Sequence, residues 1–127
     1  MNATRILGIL LEHPSMIEAQ TNEYYELVLL EQDTQRAISR LEEKYYSDVH
    51  SEELPDGKKA YTNENLRAAE VKRRLSQSED WMNLKERESN LFKRKHESQA
   101  KIERLKKEHT GAVASVRILN QAIEGDE

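Results

Sequence analysis

Histidines, serines and carboxylates are the residues of this sequence that could catalyse a reaction or bind a metal. His96-Glu97 begins the H-E-x-x-H pattern of zinc proteases, but Ala100 stands where the second histidine is required. No histidine of the chain has a glutamate three residues before it, so the E-x-x-H motif of di-iron helical bundles is absent as well. We therefore predict no metal site, and we expect the histidines to lie in solvent or at helix contacts.

The motifs for nucleophilic catalysis and for nucleotide binding are also incomplete or absent. Ser98-Gln99-Ala100-Lys101 has the S-x-x-K spacing of some acyl-transfer enzymes, but the companion motifs of those enzymes are missing. The chain has no cysteine, and no two of its 4 glycines are close enough to form a phosphate-binding loop. The sequence thus predicts a protein that is not an enzyme and that has no cofactor.

Groups of basic residues are the more specific candidate site. A row of cations along a helix can neutralise nucleic-acid phosphates. Against this reading, the net charge is −4, and the aromatic side chains needed for base stacking are not interleaved with the cations. We keep nucleic-acid contact as the alternative prediction, through Lys72, Arg73, Arg74, Lys93, Arg94, Lys95, Lys101 and Arg104.

The elements that must carry these cations show a division of charge. Residues 15–54 have a net charge of −7, whereas residues 63–110 have a net charge of +4. Neither stretch contains glycine or proline. Opposite charge favours two helices lying side by side. Charged residues make up 35% of the chain and hydrophobic ones 36%, so little material is left for a wide core. These features predict an all-α, coiled-coil-like antiparallel helical hairpin.

Proline, glycine and capping residues predict where the helices begin and end. Pro14 is expected to separate a short first helix from the first long one, which begins at the capping box Ser15 to Glu18. Gly111 is expected to end the second long helix. The predicted order is a short helix at 2–12, a long helix at 15–47, a bend at 48–62, a long helix at 63–109 with a possible kink at 76–80, and a short helix at 112–123.

Local patterns refine three of these elements. In the first short helix the expected apolar side consists of Ile6, Leu7, Leu10 and Leu11. Pro55-Asp56-Gly57 predicts a turn in the bend, and Thr62 or Asn63 is the expected cap of the next helix. Ser76 and Glu79 have capping-box spacing at the expected kink, and the interval from Lys85 to Lys101 is polar enough to predict a polar helix contact.

One stretch resembles a pattern in small helical proteins of bacteriophages and mobile elements. Residues 57–64 read G-K-K-A-Y-T-N-E and match G-K-x-x-Y-[ST]-N-E, which opens a long helix in those proteins; the resemblance extends to about residue 75. It implies a bacterial or phage-like cytoplasmic protein, with a role as an accessory to DNA recombination or replication. The stretch carries no catalytic signature.

The predicted molecule is one elongated helical domain that acts through protein–protein contact as a scaffold or interaction module. A two-helix hairpin buries little surface by itself, so we expect a homodimer or another homo-oligomer, with a further protein partner unknown. No run of about 18 apolar residues is present, and the six-residue run after Arg5 is too short for a signal peptide. The expected location is therefore cytoplasmic.

Overall fold

The described part of the chain, residues 2–125 of a computed structural model, is helical, as the sequence predicts. Three helices follow one another: α1 (Ala3–Ser51), α2 (Glu64–Gln77) and α3 (Glu79–Gly125). Within these residues there is no β-strand, and a single antiparallel bridge joins Glu53 to Lys59. The all-α class is confirmed, but the helix boundaries differ from the predicted ones at three points.

Helix α1 continues through Pro14. The predicted short helix at 2–12 and long helix at 15–47 are therefore one helix, which ends at Ser51 rather than at residue 47. Proline lacks one N–H donor and crowds the preceding turn, which costs about 3 kcal/mol in a helix interior. Packing on both sides offsets that cost, because Ile6 and Ile9 are buried before the proline and Gln20 is buried after it.

The connection between α1 and α2 is built on the predicted Pro-Asp-Gly turn. The Gly57 N–H donates to the Leu54 carbonyl at 2.9 Å, and the Leu54 N–H donates to the Lys58 carbonyl at 2.7 Å. Gly57 has φ +83°, the left-handed region that glycine occupies without strain. The predicted turn is confirmed, and it lies in a shorter bend than expected because α1 continues to Ser51.

The predicted helix at 63–109 is divided at Ser78. Ser78 is extended (φ −81°, ψ 115°), and its hydroxyl accepts a hydrogen bond from the Trp81 N–H at 3.2 Å. The irregularity expected at 76–80 is thus a complete break, and Ser78 rather than Ser76 caps the helix that follows. The Asn63 cap of α2 is confirmed, since its side chain accepts from the Leu66 N–H at 2.9 Å.

Helix α3 does not end at Gly111. It runs on to Gly125, so the predicted end at residue 109 and the separate helix at 112–123 are wrong. Glycine costs about 1 kcal/mol in a helix interior, but it does not forbid helical geometry. Ala112, the next residue, is completely buried and packs with Ile6 and Ile9, which keeps the backbone helical past the glycine.

Covered side chains recur every seven residues along α1 and α3, the period that is typical of coiled coils. None of these positions is exposed. In α1 they are Ile6, His13, Gln20, Leu27, Thr34 and Leu41, with Leu10, Ile17, Tyr24, Glu31, Ile38 and Tyr45. In α3 they are Trp81, Glu88, Lys95, Ile102, His109 and Val116, with Leu84, Leu91, Ser98, Leu105 and Ala112.

The described residues form two packing units. Unit 1 combines the chain up to Val28 with the chain from Lys93 onward, and unit 2 is Leu29–Phe92. Unit 1 holds a small core of Ile6, Ile9 and Ala112, against which Leu10 and Val116 pack. In unit 2 the Trp81 indole N–H donates to Glu42 at 3.2 Å. That the two units behave as one domain stays a prediction from chain length.

No helix within residues 2–125 has an apolar stretch long enough to cross a bilayer.

Candidate interaction surface

Large aliphatic side chains are exposed beside the small core of unit 1. The helical segments that supply this core leave five such side chains in solvent, with exposed fractions from 49% to 70%. We call this set the terminal apolar surface; it consists of Leu7, Leu11, Ile118, Leu119 and Ile123. Leu7 and Leu11 are four residues apart on α1, and Leu119 and Ile123 are four residues apart on α3, so each pair lies on one side of its helix; exposed apolar groups of this kind are typical of interaction sites.

The sequence located this surface only in part. It placed Leu7 and Leu11 on the same apolar side as Ile6 and Leu10, but in the structure Ile6 is buried and Leu10 half-buried while Leu7 and Leu11 are exposed. Four apolar side chains within six residues cover a wider arc of a helix than one neighbouring helix can bury. The apolar residues that one neighbouring helix cannot bury were therefore the feature of the sequence that indicated a further contact surface.

A buried polar pair lies at the middle of unit 1. Gln20 and Ser98 are 8% and 4% exposed, and the Gln20 side-chain amide donates to the Ser98 hydroxyl at 2.8 Å and to the Glu23 carboxylate at 2.9 Å. Ser98 belongs to the S-x-x-K match, but its hydroxyl contacts Gln20 rather than a base, while Lys101 is exposed. In these contacts the hydroxyl accepts from the Gln20 amide and donates to the Gln20 backbone carbonyl, and neither partner is a general base.

A histidine–carboxylate pair lies nearer the small core. His13 Nε2 and Glu108 Oε2 are 2.6 Å apart, and this hydrogen bond from His13 is the main reason that the pKa of Glu108 lies below its ordinary value. Nδ1 of His13 and Nδ1 of His109 are buried without a hydrogen-bond partner in the described part of the chain. No group of three or more potential metal ligands occurs among the described residues.

The two arginines of α2 that the sequence predicts to contact nucleic acid form ion pairs within unit 2. Arg74 bonds to Glu52 and, through Nε, to Glu70 at 2.8 Å; Arg73 donates to both oxygens of Glu70 at 2.5 and 2.9 Å. These hydrogen bonds, first that from Arg73 and then that from Arg74, lower the pKa of Glu70 to about 2. Arg74 also stacks over the Tyr61 ring at 6.0 Å. The two guanidinium groups are thus largely neutralised by their own chain.

The basic residues predicted on α3 are more accessible. Lys93, Arg94 and Lys101 are exposed, and Arg104 is exposed with a long 4.0 Å contact to Glu108. Lys95 differs because it is half-buried and occupies one of the covered seven-residue positions. Lys72 of α2 is exposed like the first group. The eight predicted cations therefore differ in the structure: some are accessible, and others are half-buried or paired with carboxylates.

A shallow groove of about 620 Å³ lies within unit 2, between α1 and the beginning of α3. Its floor is apolar, and its rim carries three cations and one carboxylate. The lining residues are Ala37, Arg40, Leu41, Lys44, Asp80, Asn83, Leu84 and Arg87.

Comparison with known protein families, with curated proteins and with solved structures finds no match. The resemblance of residues 57–75 to phage proteins therefore stays a prediction.

Proposed function

We propose that this protein is a non-enzymatic protein–protein interaction module that self-associates through its coiled-coil-like helices. The observation that carries the proposal is the terminal apolar surface, because Leu7, Leu11 and Ile118 are more than half exposed next to a core of very few residues. Burying an aliphatic side chain of this size contributes about 1.5–3 kcal/mol. Several such side chains on each copy can exceed the roughly 4–15 kcal/mol that association costs.

An antiparallel hairpin of α1 and α3 is the arrangement that we propose for each copy. In unit 1 the two helices run in opposite directions along their contact, since His13 contacts Glu108 whereas Gln20, later in α1, contacts Ser98, which is earlier in α3. Unit 2 taken by itself pairs Glu42 with Trp81. The seven-residue recurrence of covered positions in both helices supports the same proposal.

Sedimentation velocity and light scattering over a range of micromolar concentrations test the self-association. We expect a dimer that dissociates on dilution. Leu11→Gln removes one of the most exposed aliphatic side chains, and we expect it to raise the dissociation constant about tenfold or more, because it removes apolar surface worth about 1.5–3 kcal/mol per copy. A mass equal to that of one chain at every concentration would overturn the proposal.

Leu66→Gln is the matched control, since Leu66 is 49% exposed on α2 and lies outside the terminal apolar surface. It should leave the dissociation constant unchanged. Circular dichroism of both variants checks that helix content is preserved. An equal loss of dimer in the two variants would argue against the assigned surface.

Nucleic-acid contact is the second candidate, and the accessible cations of α3 favour it. We expect DNA affinity that falls steeply between low and moderate salt, because each phosphate contact releases counterions. Replacing Lys93, Arg94 and Lys101 with glutamine should remove that affinity, whereas replacing Arg73 and Arg74, which already pair with carboxylates, should reduce it much less. Absence of DNA binding even at low salt would dispose of this candidate.

A further inference from the structure

The groove in unit 2 has an apolar floor that its own helices cover only in part. Ala37 and Leu41 of α1 and Leu84 of α3 line this floor. Leu41 and Leu84 occupy covered seven-residue positions, yet both are only half-buried. Because removal of apolar area from water is favourable, a further element packed over the groove would be stabilised by these side chains. The groove, of about 620 Å³, thus offers apolar surface to a partner.

Three cations surround this floor without a carboxylate partner. Arg40, Lys44 and Arg87 are exposed, and no salt bridge joins them to any of the described residues. Carboxylates follow both α1 cations at the spacing of intrahelical ion pairs, Glu43 after Arg40 and Asp48 after Lys44. Neither pair forms among the described residues. The three cations are therefore available to an anionic ligand.

The rim of the groove is positive although the sequence around it is acidic. Residues 15–54 have a net charge of −7 and contain three basic residues, of which Arg40 and Lys44 line the groove. Asp80, the carboxylate on the rim, lies in the first turn of α3, where the positive end of the helix dipole favours an anion. Three cations and one carboxylate leave the rim with a net charge of +2.

The shape of the groove favours a helix as its occupant. A pocket for a small molecule encloses about 70–90% of the surface of its ligand, whereas this groove is shallow and covers one side of what it holds. An extended peptide binds by adding a strand to the edge of a sheet, and residues 2–125 contain no strand. A groove between two helices accepts a row of side chains from a third helix, at about 8–10 Å between the axes.

We propose that this groove binds an acidic amphipathic helix of a partner protein, whose apolar side chains pack on Leu41 and Leu84 and whose carboxylates pair with Arg40, Lys44 and Arg87. Charge complementarity favours an acidic partner and disfavours a basic one. A two-fold dimer centred on the groove would place one positive rim against another, which disfavours a second copy here. The inference goes beyond the proposed self-association and does not depend on it, because the terminal apolar surface shares no residue with the groove.

Isothermal titration calorimetry of the full chain with three synthetic peptides tests the proposal. The acidic peptide has about 18 residues and a side-chain cross-link that holds it helical, with leucine at i, i+3, i+4 and i+7 and glutamate on both flanks. The basic peptide has lysine for each glutamate, and the polar peptide has glutamine for each leucine. We expect one acidic peptide to bind per chain, and the other two to bind at least about tenfold more weakly.

Charge reversal on the rim identifies the site. We expect Arg40→Glu with Lys44→Glu to raise the dissociation constant of the acidic peptide about tenfold, and to make the basic peptide bind more tightly than it binds the unsubstituted protein. Lys58→Glu with Lys72→Glu is the matched control, because both lysines are exposed in unit 2 outside the groove. The control should stay within about twofold of the unsubstituted protein, since distant exposed charges are screened. Circular dichroism checks that both double variants keep their helix content.

Three results would overturn the proposal. They are no binding of the acidic peptide, equal binding of the three peptides, and an equal loss of affinity in the two double variants. If the acidic peptide does not bind and Arg40→Glu with Lys44→Glu dissociates a dimer in sedimentation velocity, the groove is occupied by a second copy instead. If the acidic peptide binds as expected to a protein that is monomeric at every concentration, the groove assignment stands and self-association fails.

Discussion

Adjacent basic residues in this chain have different environments, and the difference decides which of them a ligand could reach. Arg73 and Arg74 both hydrogen-bond to Glu70, whose pKa of about 2 keeps it ionised far below neutral pH. Lys93 and Arg94 form an equally basic pair in the sequence, and both are exposed without a salt bridge to any of the described residues. A count of positive charge alone treats these two pairs as equivalent.

The engaged pair was recognisable from its spacing. Glu70 precedes Arg73 by three residues and Arg74 by four, so both guanidinium groups lie on the same side of the helix as the carboxylate. The further bond from Arg74 to Glu52 was not recognisable, because it depends on how the chain returns after the Pro55 turn. Local pairs follow from spacing, whereas this contact spans 22 residues of sequence.

Single residues that usually end helices fail to do so twice in this protein. Pro14 and Gly111 both lie inside long helices, and each has buried side chains close by. The rule that these residues terminate helices describes the local preference of the backbone, at about 1–3 kcal/mol. Burial of neighbouring apolar side chains contributes a free energy of similar size, so the helix continues despite the local preference of the backbone.

Substitutions at Gly111 and Gly57 test how the backbone conformation of a helix and of a turn determines the effect of a glycine on stability. Gly111 is helical, and a Cβ added there would meet nothing within 4 Å, so Gly111→Ala should raise the free energy of unfolding by about 0.5–1 kcal/mol. Gly57 also has open space around it, but its φ of +83° strains any side chain. Gly57→Ala should therefore lower the free energy of unfolding by about 1 kcal/mol.

Urea unfolding followed by circular dichroism measures both changes. The two substitutions add the same methyl group and differ only in backbone conformation, so each is the control for the other. A fall in stability in Gly111→Ala would show that residue 111 requires the flexibility of glycine. An unchanged stability in Gly57→Ala would contradict the left-handed turn.

At the scale of the whole chain, the sequence was sufficient for the fold class and for most of the covered positions. Leu27, Ile38 and Leu41 recur in the sequence at intervals that place them on one side of a helix, as do Leu91 and Leu105, and none of them is exposed in the structure. Polar positions of the same seven-residue series were harder to assign. His13 and Gln20 have partners on α3, Glu108 and Ser98, which the sequence does not reveal, whereas the hydroxyl of Thr34 donates to the Leu30 carbonyl one turn earlier in its own helix.

The apolar surface next to the small core was likewise only half predictable. The predicted outer helix ends, residues 2 and 123, are close to the observed Ala3 and Gly125, but the rules for Pro14 and Gly111 wrongly divided both helices, so the sequence did not show that the exposed Leu7 and Ile123 belong to long continuous helices.

A buried polar pair at the covered positions of packed helices can specify register and partner number at a cost in stability. Gln20 and Ser98 form such a pair in unit 1. Ser98→Ala alone should cost about 1 kcal/mol, and Gln20→Leu alone about 1–3 kcal/mol, because each leaves a buried polar group with a weaker partner. The double variant Gln20→Leu with Ser98→Ala should be close to neutral or stabilising, since both polar groups are then absent.

Urea unfolding of the two single variants and the double variant yields the coupling energy between these residues. Light scattering of the double variant should show a wider distribution of oligomers than that of the unsubstituted protein, because an apolar layer accepts several registers. Gln32→Leu with Gln99→Ala, both at exposed positions, is the control and should change neither quantity. If the single effects simply add in the double variant, the hydrogen bond between Gln20 and Ser98 contributes nothing specific to the helix register.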